Sequence, residues 1–260
     1  MTLAIDELIQ AWENSPQPSI KVTSYFPAYV NLFGHLRNKQ CTFIETGILE
    51  GGSLFMWKNW LGPDSRVIGI DLNPEAKKWE KFGFEIFIGD QSCPKFWSQT
   101  FSKIGHFDAF LDDGGHQSFQ QVVSLQQAIH HSKGECIIAV EDTYTSFMND
   151  FQSHKDRSFL EYSKDATDLL VGRSFPLYPG RFPESINSSE ILRLQKVFNI
   201  SFFNGIVAFH VAPDLCFEAA IVRNKQPSPI KDFRYDGLNQ AAISWPNIFR
   251  EEFVVIEGGK

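Results

Sequence analysis

An α/β fold built on a mostly parallel sheet is expected from three observations. Short apolar runs of strand length recur up to Val140, and each ends abruptly in acids or glycines. Stretches with helical spacing of apolar residues separate them. The succession closes on two apolar runs flanking Asn204-Gly205, a hairpin signal of the type I′ kind. Strands that alternate with helices form βαβ units, whose parallel strands bring their carboxyl ends to one edge of the sheet.

The totals agree. A chain of 260 residues with 43% hydrophobic content suits one domain with an elaboration and a full core. Twenty-five Phe suggest an aromatic-rich core or pocket. A net charge of −7 argues against a nucleic-acid surface driven by phosphate contacts. The four cysteines, Cys41, Cys93, Cys136 and Cys216, are widely spaced without CxxC pairs. Neither a disulfide framework nor a zinc site is expected, and Cys41 and Cys136 read as small core residues. No secretion signal and no membrane-length apolar run is read, so the expectation is a cytoplasmic protein with no membrane partner.

Leu3–Trp12 has helical apolar spacing, ended by Asn14-Ser15-Pro16. Residues 21–38 are aromatic with Lys, His and Arg interspersed. Two readings stay open: a helix packing on the sheet, or a lid with Tyr25, Tyr29 or His35 reaching a ligand. Cys41–Thr46 is the first strand, running into a glycine-rich turn, Gly47 to Ser53, and a helix to Leu61. That is the opening of a Rossmann-like nucleotide site, although the spacing is not GxGxxG. Arg66–Leu72 is the second strand. Its Asp71 stands where an acid commonly holds ribose hydroxyls, with helix capping as the plainer alternative. Asn73-Pro74 starts a helix through Lys81, Phe84–Ile88 is the third strand, ending in Gly89-Asp90, and Pro94–Phe101 is helical.

Phe107–Leu111 and Cys136–Val140 are the fourth and fifth strands, with a helix at Ser118–His131 between them. Asp112 and Asp113 end one strand, Glu141 and Asp142 the other, and His116 lies close by. Four carboxylates on one rim repel unless a cation sits among them, so a hard divalent ion is expected there. Capping would explain either acid pair singly, and His116 could itself be a capping or surface histidine. Asp150–Leu170 and Ser189–Phe198 read as helical, and Ser174–Ser188 as a loop. The whole stretch of about 148–196 is read as a substrate lid. The domain division follows: a 1–40 helical extension, a 41–223 core carrying the lid, and a 224–260 tail that wraps the body or a partner subunit. The tail leaves a homo-oligomer open.

The motifs FIETGILEGGSLFMW (43–57), VIGIDLNP (67–74), IGD (88–90), LDDGGH (111–116) and EDTYTSF (141–147), in this order, resemble class I S-adenosylmethionine-dependent methyltransferases. More narrowly, they are similar to the metal-dependent macrolide-sugar O-methyltransferases grouped with the cephalosporin hydroxylase family. YFPAYVNLFGHL (25–36) resembles the aromatic segment that precedes the first strand there. The resemblance spans roughly residues 21–211. It implies a seven-stranded Rossmann-like sheet ending in an antiparallel hairpin, with helices on both faces. It also implies S-adenosylmethionine and Mg²⁺ as cofactors. Glu45, Gly47, Gly51 and Ser53 then border the methionine part, Asp71 holds the ribose and Asp90 lies by the adenine. Asp112 is a support or a cofactor-side contact. Asp113, Glu141 and Asp142 match the metal ligands and His116 the general base. Thr46 stands where an aliphatic residue is common and Gly115 where Ser is frequent, and neither is a metal or base position.

The chemistry is consistent with these roles. Methyl transfer from a sulfonium needs an in-line oxygen nucleophile and no covalent enzyme intermediate. A sugar hydroxyl is a weak nucleophile until a metal lowers its pKa and a base takes its proton. The implied function is O-methylation of a hydroxyl on a sugar-like small molecule, as in natural product biosynthesis. Two alternatives remain: the cofactor-binding half of a two-protein hydroxylase or methoxylase system, and a non-catalytic Rossmann-like binding module.

Overall fold

The computed structural model describes residues 2–152, 157–172 and 186–216. The tail and much of the expected loop at 174–188 lie outside the described residues. Seven strands form one sheet: β1 (Cys41–Thr46), β2 (Ser65–Asp71), β3 (Glu85–Ile88), β4 (Ala109–Asp112), β5 (Cys136–Val140), β6 (Val197–Phe202) and β7 (Val207–Val211). Their order is β3-β2-β1-β4-β5-β7-β6. The first five are parallel, and β7 runs antiparallel to both β5 and β6.

Helices cover both faces. On one lie α1 (Thr2–Glu13), α2 (Tyr25–Phe33) and α3 (Gly52–Leu61), packed through Leu8, Tyr29, Phe33, Phe43 and Trp57. On the other lie α4 (Pro94–Ile104), α5 (Ser118–His131), α6 (Phe159–Gly172) and α7 (Ser188–Leu194), packed through Trp97, Phe101, Phe110, Leu125 and Phe159. The aromatic wealth of the sequence is thus core: Trp57, Trp97, Phe43, Phe101 and Phe110 are essentially inaccessible. Burying such side chains contributes about 1.5–3 kcal/mol each.

Several expectations change. Residues 74–82 wind as a 3-10 helix, not an α-helix, although Asn73 caps it as anticipated. Asp112 belongs to β4, so the carboxylate pair Asp112/Asp113 straddles the strand end. Within the stretch expected as a lid, α6 packs on the body: its Phe159, Tyr162, Ala166 and Leu169 are buried against the sheet face, and residues 153–156 and 173–185 lie outside the described residues. The hairpin forms at Asn204-Gly205, but only Gly205 has positive φ, at 79°, so the turn is not type I′. A Cβ on Gly205 would collide with the Tyr25 ring, so this glycine serves a close approach as well as a turn.

Candidate active site

The strand order reverses between β1 and β4, and ligands of open α/β sheets bind in the crevice at such a point. A cavity of about 450 Å³ opens there. One half is lined by Gly47, Ser53, Asp71 and Asp90, the other by Asp113, His116 and Asp142. Gly47 has φ of 83°, and a Cβ on it would collide with the Asp113 carbonyl. The turns after β1 and β4 can pass each other only because this residue is glycine. Asp71 organises the first turn: its Oδ2 accepts from the amides of Ile48 and Leu49, both at 3.1 Å, and its Oδ1 from Asn73 at 2.8 Å. Three of about four acceptor positions of the carboxylate are therefore taken by backbone, leaving one for a ligand. Asp90 is exposed and accepts from the amide and hydroxyl of Ser92.

In the second half, Asp113, His116 and Asp142 each offer a ligand atom within 4.8 Å of the others. His116 and Asp142 both sit in the left-handed region, with φ of 56° and 57°. Such backbone costs of order 1–3 kcal/mol each and clusters at functional sites. It is held from several sides. Tyr25 Oη donates to Asp142 Oδ1 at 2.6 Å, the Asp142 amide donates to Tyr25 Oη, and Thr145 Oγ1 donates to the His116 carbonyl. The Thr143 amide bonds to the Gly205 carbonyl, so the hairpin braces the same turn. His116 Nε2 lies 3.4 Å from Asp142 Oδ2, while its buried Nδ1 has no hydrogen-bond partner among the described residues.

Four of the expected site residues do not line the cavity, for separate reasons. Glu45 is fully buried and accepts from Ser53 Oγ at 2.6 Å, which makes it a support of α3. Gly51, with φ of 80°, caps α3 and packs against Trp79. Asp112 is buried and bonded to Gln91, the Gly114 amide and Ser124, so it shapes the turn after β4. Burial pushes its carboxyl upward against those donors. Glu141 is 2% exposed, accepts from the Tyr29 hydroxyl and shares a cation with Asp113.

The placement of Glu141 has a cause that the sequence reading missed. Lys21 Nζ lies 2.5 Å from Asp113 Oδ2, 3.0 Å from Glu141 Oε1 and 3.4 Å from Glu45 Oε1. Burial alone would lower the pKa of this ammonium, but Asp113, Glu141, Tyr29 and Glu45 outweigh it and hold it well above the ordinary value. One ammonium cannot balance these three acids, of which Glu45 and Glu141 are buried. Burial and the neighbouring Glu141 accordingly push Asp113 well up, against the pull of Lys21, and burial raises Glu45 as well. A lone cation preceding an aromatic helix in a chain with clustered acids was the available signal. Of the residues considered for a lid, Tyr25 and Tyr29 do reach the acids; His35 is not among the residues lining the cavity.

No family model matches the chain. It is similar to the mycinamicin VI 2''-O-methyltransferase of Micromonospora griseorubida, 25% identical over 190 residues, covering 68% of this chain and 47% of that protein. It is similar also to the demethylmacrocin O-methyltransferase of Streptomyces fradiae, 26% identical over 171 residues, covering 61% of this chain and 43% of that protein. The MycE methyltransferase, solved in complex with Mg, SAH and mycinamycin VI, superposes with a TM-score of 0.67 at 22% identity, over 91% of this chain and 58% of that one. The fold is that of a class I S-adenosylmethionine-dependent methyltransferase. The methyltransferase sheet, with its reversed seventh strand, is the one the sequence motifs implied. The chain spans about half the length of the curated methyltransferases it matches.

Proposed function

We propose that this chain carries the catalytic site of an S-adenosylmethionine-dependent, divalent-cation-dependent O-methyltransferase acting on a hydroxyl of a sugar-like small molecule. The observation that carries the reading is the single cavity with two unlike halves, Gly47, Asp71 and Asp90 on one side and Asp113, His116 and Asp142 on the other. Of the relatives, one is by name a mycinamicin VI 2''-O-methyltransferase and another an L-olivosyl-oleandolide 3-O-methyltransferase, which supports a glycoside hydroxyl as acceptor. No described helix is long and apolar enough to cross a membrane, which agrees with a cytoplasmic enzyme.

The residues fit a hard divalent ion. Asp113 and Asp142 supply carboxylate oxygens, His116 is within reach of both, and the clustering is tight. A bound ion would supply Lewis acidity to a coordinated acceptor hydroxyl, and S-adenosylmethionine the electrophilic methyl. The chain's own residues do the rest. Asp71 and the Gly47 turn position the donor. His116 Nε2 accepts the acceptor proton, its Nδ1 being buried, and the nearby Asp142 carboxylate stabilises the imidazolium that results. Tyr25 fixes Asp142 so that the pair is preorganised.

The test is Asp142→Ala. Transfer of a labelled methyl to glycoside acceptors should fall by at least about 10²-fold, while S-adenosylhomocysteine affinity by calorimetry changes little. Unchanged transfer removes Asp142 from the mechanism. Good cofactor binding by the wild type without transfer to any hydroxylated acceptor would favour the two-protein reading. No cofactor binding would favour the non-catalytic module.

A further inference from the structure

Lys21 is engaged by carboxylates that the proposed chemistry also needs. Its side chain is 2% exposed, and its Nζ sits on Asp113 Oδ2 and Glu141 Oε1. The other Glu141 oxygen accepts from Tyr29, so both oxygens of this acid are in use. A Mg²⁺ ion takes carboxylate oxygens at about 2.0–2.1 Å. An ion bonded to Glu141 Oε1 and Asp113 Oδ2 would stand where the ammonium stands. Two cations that close, in a buried setting poorly screened by water, do not share a site.

Lys21 also ends a strap. Residues 15–21 leave α1 and cross the start of α3, where Ser15 Oγ donates to the Gly52 carbonyl at 2.9 Å. A Cβ on Gly52 would collide with the Gln17 and Pro18 carbonyls, so the strap lies directly on the helix. Pro18, Ser19 and Ile20 line the cavity. The ion pair is the fastening between this strap and the acidic half.

We propose that Lys21 is an internal counter-cation of the metal site: it holds Asp113 and Glu141 in the metal-free chain and leaves them when a divalent ion binds. Glu141 Oε1 and Asp113 Oδ2, released by the ammonium, would then complete a three-carboxylate set with Asp142. Lys21 is a positioning residue in this scheme, setting metal affinity and coupling it to the strap. The inference rests on the divalent-ion reading above.

Mn²⁺ binding, followed by the loss of its solution EPR signal, tests it in the wild type, Lys21→Met and Lys21→Arg. Lys21→Met removes the competitor, and Mn²⁺ affinity should rise on the order of tenfold or more, with a larger Mn²⁺-induced rise in Tm. Lys21→Arg keeps the charge and should not bind more tightly than wild type. Amine labelling of the wild-type chain, read by mass spectrometry, gives a second measurement that survives a misfolded variant. Lys21 should be protected in EDTA and modified several-fold faster with Mn²⁺. Mn²⁺ binding that is equal or weaker in Lys21→Met, or unchanged labelling of Lys21, overturns the inference while leaving the metal reading intact. Absence of Mn²⁺ binding in the wild type and both variants overturns both.

Discussion

Replacing Asp71 by Ala separates the turn-building role of this residue from its ligand role, and the structure gives a magnitude for each. Three backbone amides lose a charged acceptor. Leu49 is 74% exposed and Asn73 is exposed too, so water replaces Asp71 there at little cost. Ile48 is 2% exposed, and its amide is left without a partner. Losing a charge-assisted hydrogen bond from a buried donor costs about 1.5–3 kcal/mol. For a domain of this size that lowers Tm by about 3–12 °C. The one acceptor position left on Asp71 is assigned to a ribose hydroxyl. Its loss should weaken S-adenosylhomocysteine binding about 10- to 150-fold. Differential scanning fluorimetry and titration calorimetry read the two effects separately. A lower Tm with affinity unchanged within about twofold would refute the ribose assignment and leave Asp71 as a turn support alone.

Other outcomes follow from the same geometry. Gly47→Ala places a Cβ on the Asp113 carbonyl in a backbone conformation of φ 83°, so it should remove cofactor binding and lower Tm together; retained cofactor affinity would contradict the close crossing of the β1 and β4 turns. Burial pushes the thiol of Cys41 up to about 11 and that of Cys136 to about 12. Both stay protonated at pH 9, where an ordinary thiol is largely ionised. Iodoacetamide at that pH should modify them only after denaturation, and mass spectrometry of the native protein checks this.

The parallel half of the sheet was legible because each buried strand is a short apolar run with a polar or glycine stop, and each helix has its own stripe. The glycines after β1 and the acids after β2, β4 and β5 marked the crevice, since turn chemistry and charge show in local sequence. What the sequence hid was long-range. Lys21 meets Asp113 and Glu141 across 92 and 120 residues, and nothing near it in the chain announces the partners. Asp113 and Asp142 line the cavity while Asp112 and Glu141 are buried, although each pair is adjacent in sequence. Asp113, Glu141 and Asp142 lie just beyond the strand ends, and the side that each acid faces is decided by neighbours such as Gln91, Ser124 and Tyr29. Within the stretch expected as a lid at 148–196, an amphipathic stripe does not say which surface it covers; Phe159 and Tyr162 cover the sheet.

The central claim is that the two halves of the cavity work together on one transfer. Its most direct test is incubation of the pure chain with methyl-labelled S-adenosylmethionine and a set of deoxysugar glycosides, with Mg²⁺ or with EDTA. Label should appear on an acceptor hydroxyl with Mg²⁺, vanish in EDTA and return when Mg²⁺ is restored. Transfer that proceeds undiminished in EDTA would contradict the account.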